Sequence, residues 1–251
     1  MPDRPRNVGA SVRQRLLNLA HARSQPMELL LTRYALERLL HRLSLSPHRE
    51  RFVLKGAMLL ATWFDEPHRA TRDVDLLGFG DAAADALLGT FREIMAIEDD
   101  DGVIFDLKDL RIEAIREEVE YGGSRLRTTA ALAGARIPIT VDIGFGDAVE
   151  PGVDDIDLPV LLDMPSPHLR AYPPETVIAE KFHAMVVLGL ANSRMKDYYD
   201  VWMLTGAFEI EPERLRRAIA ATFARRTTAI PAEVPDGRSD SGMPSLETSP
   251  A

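Results

Sequence analysis

Residues 54–80 read LKGAMLLATWFDEPHRATRDVDLLGFG, and the reading of this stretch decides the fold. An apolar run opens behind a Lys-Gly-Ala turn, passes through a polar loop, and resumes as a second apolar run that carries Asp73 and Asp75. Burying a carboxylate among apolar side chains is costly unless a cation faces it, so two of them in one short run demand a partner. The first half predicts a strand-like or turn segment from residue 51, then a buried helix with Gly56 at its start, reaching residue 64. Residues 65–72 read as loop and 73–77 as a short strand, on which Asp73 and Asp75 point to one face, roughly 6 to 7 Å apart. Carboxylates so placed repel one another unless a divalent cation such as magnesium lies between them.

Working outward, residues 11–24 and 26–45 carry apolar side chains at helical spacing, with Pro26 suited to the first turn of the second helix. Residues 81–97 predict an amphipathic helix, followed by the acidic turn EDDDG at 98–102. Strand-like alternation then covers 103–107, 112–119, 124–132 and 135–145. The last of these contains IPITVDIGFGD, a central-strand pattern with Asp142 embedded in it. Asp142 is thus a third candidate ligand, available to the Asp73/Asp75 pair if its strand lies beside theirs. Residues 147–170 read as loop with a short strand near residue 160.

From residue 173 the pattern becomes wholly helical, in three segments: PPETVIAEKFHAMVVLGL, NSRMKDYYDVWMLTG and EPERLRRAIAATFARR. In the first of these, Val177, Ala184, Met185 and Leu188 predict the core face, leaving Lys181 either facing a site or reaching solvent. In the second, Asp197 and Asp200 share a face with Arg194, enough for a local ion-pair network, and Tyr198 and Trp202 read as core. The tail 227–251, rich in Pro and Ser, holds too few large apolar side chains to offset the cost of ordering. The domains expected are a helical region at 1–50, a mixed α+β core at 51–170, a helical subdomain at 171–226 and the tail.

The 251 residues hold no cysteine, which excludes disulfides, thiolate chemistry and cysteine-bound zinc and fits a cytoplasmic setting. No apolar run is long enough for a membrane helix. The net charge of −9 is unevenly spread: residues 1–51 hold ten arginines and four acids, whereas 52–170 hold eleven basic and twenty-four acidic residues. An acidic middle behind a basic flank suits a metal site approached by an anionic substrate.

A D-x-D pair alone is common: such aspartates cap turns, and some sugar transferases use the pair for metal-nucleotide binding. Here it follows a small-residue turn at Lys55-Gly56-Ala57 that opens a helix, a place where backbone N–H groups and the helix dipole favour phosphate. Together with the later Asp142, the order of parts resembles the polymerase-beta-type nucleotidyltransferase superfamily, and more narrowly its AbiEii/AbiGii toxin family. FVLKGAMLL, TRDVDLL, ETVIAEKFHAM and RMKDYYDVW carry the resemblance, over about residues 52–205. It implies a nucleotidyltransferase-type mixed sheet with helices, plus a mainly helical C-terminal subdomain.

On that resemblance Gly56 and Ala57, led by Lys55, match the nucleotide-phosphate turn, and Arg72 matches the basic residue beside the D-x-D strand. Asp73 and Asp75 match the metal-binding pair, with Asp142 completing a magnesium site and helping to deprotonate the acceptor hydroxyl. Lys181 matches the helix lysine that contacts the nucleotide phosphates, and Asp197 the late acid, with Asp200 its rival. Ala57 departs from the pattern: it offers neither a hydroxyl nor glycine's backbone freedom, so only a backbone contact to phosphate survives. The implied function is the toxin of a toxin–antitoxin system that transfers a nucleoside monophosphate from a nucleoside triphosphate to an acceptor. In some relatives that acceptor is the 3′ end of tRNA, and a cognate antitoxin is encoded nearby. Two other readings stand beside it, a small-molecule-modifying nucleotidyltransferase and a non-catalytic nucleotide- or RNA-binding protein. The basic flank favours an RNA acceptor through counterion release.

Overall fold

A computed structural model of the chain describes residues 7–64, 71–115, 123–188 and 195–232. The expected loop at 65–72, the end of the expected strand at 112–119, Arg194 and most of the tail at 227–251 therefore fall wholly or partly outside the described residues. The chain divides into two units, residues 1–147 with 152–172, and residues 148–151 with 173–251.

The first unit begins with two helices, α1 (Val8–Arg23) and α2 (Met27–Leu45). Asn7 caps α1 by accepting from the Ala10 amide at 3.0 Å, and Val12, Leu16 and Ala20, spaced four apart, form its buried stripe. Ser24, in the left-handed conformation at φ 50°, ends α1.

α2 buries charge as well as apolar surface. Arg42, 2% exposed, donates to the Asp101 carboxylate at 2.5 and 3.1 Å and to the carbonyls of Ile97 and Val103 at 2.9 and 3.2 Å. Glu37, fully buried, accepts from Arg33 at 2.9 Å and from the Leu161 amide at 3.0 Å, and Arg38 donates to the Pro165 carbonyl at 3.0 Å. The helix thus fastens the 97–103 turn and the 158–167 loop, which explains why an acidic EDDDG turn folds inward: its Asp101 answers a buried arginine. It also corrects one sequence expectation, because Arg38 and Arg42 lie inside the fold and add little to any basic surface.

The sheet is mixed and eight-stranded. Its strands are β1 (Phe52–Lys55), β2 (Val74–Gly78), β3 (Ile104–Phe105), β4 (Arg111–Ile115), β5 (Gly123–Leu132), β6 (Ala135–Phe145), β7 (Asp154–Asp157) and β8 (His168–Ala171). The order is β3-β5-β6-β2-β1-β8-β7, with β4 also on β5. β2 and β6 run parallel, and β1 and β5 flank them antiparallel. β5 and β6 form a long hairpin closed by Ala133 and Gly134, both at positive φ (44° and 83°), the geometry that matches strand twist in two-residue turns.

Alternation along β5 and β6 sorts two faces. Leu126, Ala130, Leu132, Ile137, Ile139, Val141 and Ile143 are buried on one, which α2 covers at β6. Arg125, Arg127, Thr140 and Asp142 lie on the other. The helices α3 (Gly56–Trp63) and α4 (Ala84–Met95) complete the unit. The strand expected near residue 160 is replaced by the β7/β8 pair flanking the 158–167 loop, whose backbone is held by α2 instead of a neighbouring strand.

The second unit holds α5 (Pro174–Leu188), α6 (Met195–Ala207) and α7 (Pro212–Arg225), with α6 and α7 both packed on α5. Glu175 pairs with Arg214 at 3.1 Å, and Phe182 and His183 pack on Phe223. Two expectations fail here. Leu188, the last residue of α5, is 38% exposed, and Trp202 is 67% exposed because α6 turns Asp197 and Leu204 inward and leaves the Trp202 face outward.

Among the described residues no helix is long and apolar enough to cross a membrane.

Candidate active site

Strand register, more than sequence spacing, assembles the site. Lys55 on β1 is the cross-strand partner of Asp75 on β2, Asp75 is level with Asp142 on β6, and Asp142 faces Arg125 on β5. Arg125 in turn faces Glu113 on β4. Side chains level with one another across neighbouring strands share a face. One row therefore crosses five strands as Glu113, Arg125, Asp142, Asp75 and Lys55. The condition set by the sequence is met, because the strand of Asp142 lies directly beside that of Asp75.

Asp73 stands one residue before β2, at the mouth of the strand and not inside it as expected; Thr71 donates to its carbonyl at 2.9 Å and to its carboxylate at 3.0 Å. Arg72, beside it, is exposed. Gly56 opens α3 at φ +69°, and a Cβ there would lie 1.9 Å from Oδ2 of Asp75. The Ala57 amide donates to the Asp75 carboxylate. The small residues of the turn thus do something the sequence did not reveal: they admit an aspartate against the helix N-terminus.

Charge in this cluster is unbalanced. Asp75 is pushed up to about 6, first by burial, then by the negative charge of Asp73, with Asp142 adding to it against the opposing pull of Lys55. Asp142 is better served, since Arg125 donates from Nε and Nη2 to its two carboxylate oxygens at 2.7 and 2.6 Å. That bidentate pair holds the guanidinium charged and raises its pKa. Lys55 donates to Asp147 at 2.7 Å and lies over the Tyr172 ring at 5.2 Å.

The donor set is all carboxylate oxygen, the chemistry that suits magnesium and similar hard cations. The negative charge that raises Asp75 is what such a cation would relieve, so the residues fit one. Among the described residues no group of three or more acidic or histidine side chains is arranged to hold a metal ion as it stands. Arg125 takes both oxygens of Asp142.

In the helical unit, Lys181 is 14% exposed at its side chain and donates to Asp200 at 2.5 Å and to Asp197 at 3.3 Å. Both late acids that the sequence left as rivals therefore meet the same lysine. Asp197 is almost wholly buried. His183, close by in sequence, is a packing residue: its ring meets Phe223 edge-on and Thr228 at 3.0 Å, and burial lowers its pKa.

Sequence reasoning missed Arg125 and Asp147. Arg125 was visible only as a polar position in an alternating strand, and its partner emerges only from the hairpin register. Asp147 ends the IPITVDIGFGD segment, where an acid following glycines reads as turn.

The family model described as "Nucleotidyl transferase AbiEii toxin, Type IV TA system" matches residues 38–247. Among solved structures the chain is similar to JHP933 from Helicobacter pylori, at 16% identity and a TM-score of 0.48 over 79% of this chain and 80% of that one. It is also similar to a putative nucleotidyltransferase from H. pylori, at 16% identity and a TM-score of 0.47 over 79% and 82%. An antigenic nucleotidyltransferase-like protein from Paracoccidioides brasiliensis gives 15% identity and a TM-score of 0.45 over 76% and 89%. Comparison with curated proteins gives no significant match.

Proposed function

The chain belongs to the AbiEii nucleotidyl transferase toxin family of type IV toxin–antitoxin systems, and we propose that it transfers a nucleoside monophosphate from a nucleoside triphosphate to a hydroxyl acceptor. The row Lys55, Asp75, Asp142, Arg125 across adjacent strands carries this reading, because it sets two acids level with one another between two cations. In such a transfer the acceptor oxygen attacks the α-phosphorus, the new P–O bond forms, the bond to the β-phosphate breaks, and pyrophosphate leaves.

Asp73 and Asp75 would hold magnesium, with Asp142 beside them. The bound cation supplies charge neutralisation for the attacking and leaving oxygens. The chain supplies position. The α3 N-terminus at Gly56 and Ala57, with Lys55 before it, meets the phosphate chain. Arg72, exposed beside Asp73, contacts the nucleotide from the strand mouth. Asp142 accepts the proton of the acceptor hydroxyl. Lys181, held by Asp197 and Asp200 in the helical unit, is the phosphate-contacting lysine that membership of the family implies.

The acceptor in this reading is RNA, with the tRNA 3′ end as the specific candidate. Support comes from α1, whose Arg13, Arg15 and Arg23 are exposed away from its buried Val12, Leu16 and Ala20. The protein acts in the cytoplasm, paired with a cognate antitoxin encoded nearby. The burial of Arg38 and Arg42 removes part of the basic surface and favours, as a second reading, a small-molecule acceptor.

The test is incubation of the full chain with magnesium, each labelled nucleoside triphosphate in turn, and either total RNA or a pool of small hydroxyl compounds. Label entering RNA, and lost in Asp73→Ala, is the expected result. Label entering only small molecules selects the second reading. Tight nucleotide binding with no transfer to any acceptor contradicts the enzyme reading.

A further inference from the structure

The Arg125–Asp142 pair is out of character for a structural ion pair. It sits on the sheet face away from the apolar layer that α2 covers, with the Arg125 side chain 35% and the Asp142 side chain 18% exposed. Both oxygens of Asp142 are engaged by Arg125, at 2.7 and 2.6 Å, although Asp142 lies level with Asp75, whose carboxyl is pushed up by burial and by the negative charge of Asp73. Lys55, at the other end of the row, is turned to Asp147. Arg125 also lies within the field of Asp73 and of Glu113, so two acids besides Asp142 draw the guanidinium to this face.

We propose that Arg125 is a positioning residue that stands in for the divalent cation at Asp142, and on arrival of the cation–nucleotide complex releases Asp142 and re-pairs with a phosphate of the nucleoside triphosphate. This rests on the metal-dependent reading above. A guanidinium suits the exchange, because its planar fork binds carboxylate and phosphate with the same two-point geometry. The pair is part-buried, so the bonds lost when it opens have to be replaced by those that Asp142 makes to the cation and Arg125 to the phosphate. Before the exchange, Arg125 holds both oxygens of Asp142, on the strand beside Asp75. After it, the positive charge is conserved on the face while the carboxylate becomes a ligand.

Two consequences separate this role from simple packing. Without nucleotide, Arg125 competes with the cation, so its removal tightens cation binding. With nucleotide, Arg125 is a contact, so its removal weakens nucleotide binding. A merely structural residue moves both in the same direction.

The experiment measures Mn2+ binding to the full chain by electron paramagnetic resonance, and binding of the Mn2+ complex of a non-hydrolysable nucleoside triphosphate analogue by calorimetry. Wild type is compared with Arg125→Gln, Asp142→Asn, the double variant and Asp75→Asn. Arg125→Gln is expected to bind Mn2+ about tenfold more tightly than wild type, the size of one lost charge-assisted competitor, and the nucleotide complex about tenfold more weakly. The gain in Mn2+ affinity is expected to vanish when Asp142→Asn is also present. If Arg125→Gln folds poorly, Arg125→Lys, which keeps the charge but not the fork, shows the same two directions at smaller size. Mn2+ affinity that is unchanged or lowered in both variants overturns the proposal, as does a gain that persists without Asp142. Mn2+ binding that depends on Asp75 but ignores Arg125 overturns this proposal alone. Binding indifferent to Asp75→Asn overturns the metal reading as well.

Discussion

Gly56 and Asp75 exclude one another's side chains: a Cβ on residue 56 would fall 1.9 Å from Oδ2 of Asp75. The backbone of Gly56, at φ +69°, is also one that an L side chain takes at a cost of about 1–2 kcal/mol. Gly56→Ala is therefore expected to destabilise the fold by at least that amount and to displace the Asp75 carboxylate. Urea unfolding and a transfer assay on the same sample check both effects. Wild-type stability together with wild-type activity would show that the close approach does not matter.

The electrostatics of Asp75 predict a pH dependence. Its folded-state value, about 6, lies above the ordinary 3.8, because burial and then Asp73 disfavour its charge. A group raised on folding destabilises the metal-free fold wherever it is ionised, and the cost fades as pH falls through the folded value toward the unfolded one. Asp75→Asn, which mimics the protonated acid, is expected to be more stable than wild type at neutral pH, by on the order of 2–3 kcal/mol. That gap should close as pH falls toward about 4. Comparing the two proteins isolates Asp75 from Glu37, which burial also raises, and from His41 and His183, which burial lowers. Denaturant unfolding across this range is the measurement, and a gap that stays constant with pH would contradict it.

Arg42 tests a different part of the fold. Its guanidinium is 2% exposed and bound to Asp101, which is 1% exposed. Removing one partner of a buried pair strands the other, a loss of about 3–5 kcal/mol. Arg42→Ala should show this in urea unfolding, and a loss under about 1 kcal/mol would mean that Asp101 finds solvent on its own.

The pairing of Lys181 with both late acids separates their roles. Asp197 is 1% exposed, whereas Asp200 makes the shorter bond, at 2.5 Å. Asp197→Asn is expected to lower the melting temperature. Asp200→Asn is expected to raise the nucleotide KM about tenfold with the melting temperature held, since a charge-assisted bond to the lysine is lost. Thermal melts and steady-state kinetics on both variants decide it, and the opposite assignment would place the orienting role on Asp197.

What the sequence revealed and what it hid follow from the range of each interaction. The D-x-D pair, the Lys-Gly-Ala turn and the acid inside IPITVDIGFGD are local patterns; the structure brings Lys55, Asp75 and Asp142 into one row across neighbouring strands, with Asp73 at the mouth of β2 and Gly56 against Asp75. Arg125 was hidden because its role depends on which residue of β6 it faces, and that is set by the two-residue turn at Ala133 and Gly134, eight residues away along each strand. The arginines of α2 were hidden for a related reason: a charged residue at helical spacing reads as solvated unless the loop that will cover it is known. Trp202 erred in the opposite direction, because helical spacing identifies a face but not which face a neighbouring helix takes. Gly56 was legible as a turn residue, but not as the gap that Asp75 fills.

The central claim is that the Asp73, Asp75 and Asp142 face serves nucleotidyl transfer. It is tested most directly by supplying the wild-type chain and Asp75→Asn with magnesium, RNA and a nucleoside triphosphate labelled at either the α- or the γ-phosphate. Label from the α-position retained on the acceptor, none from the γ-position, and neither with Asp75→Asn is the result this account predicts. Label from the γ-position on the acceptor, or α-label transferred equally by Asp75→Asn, would contradict it.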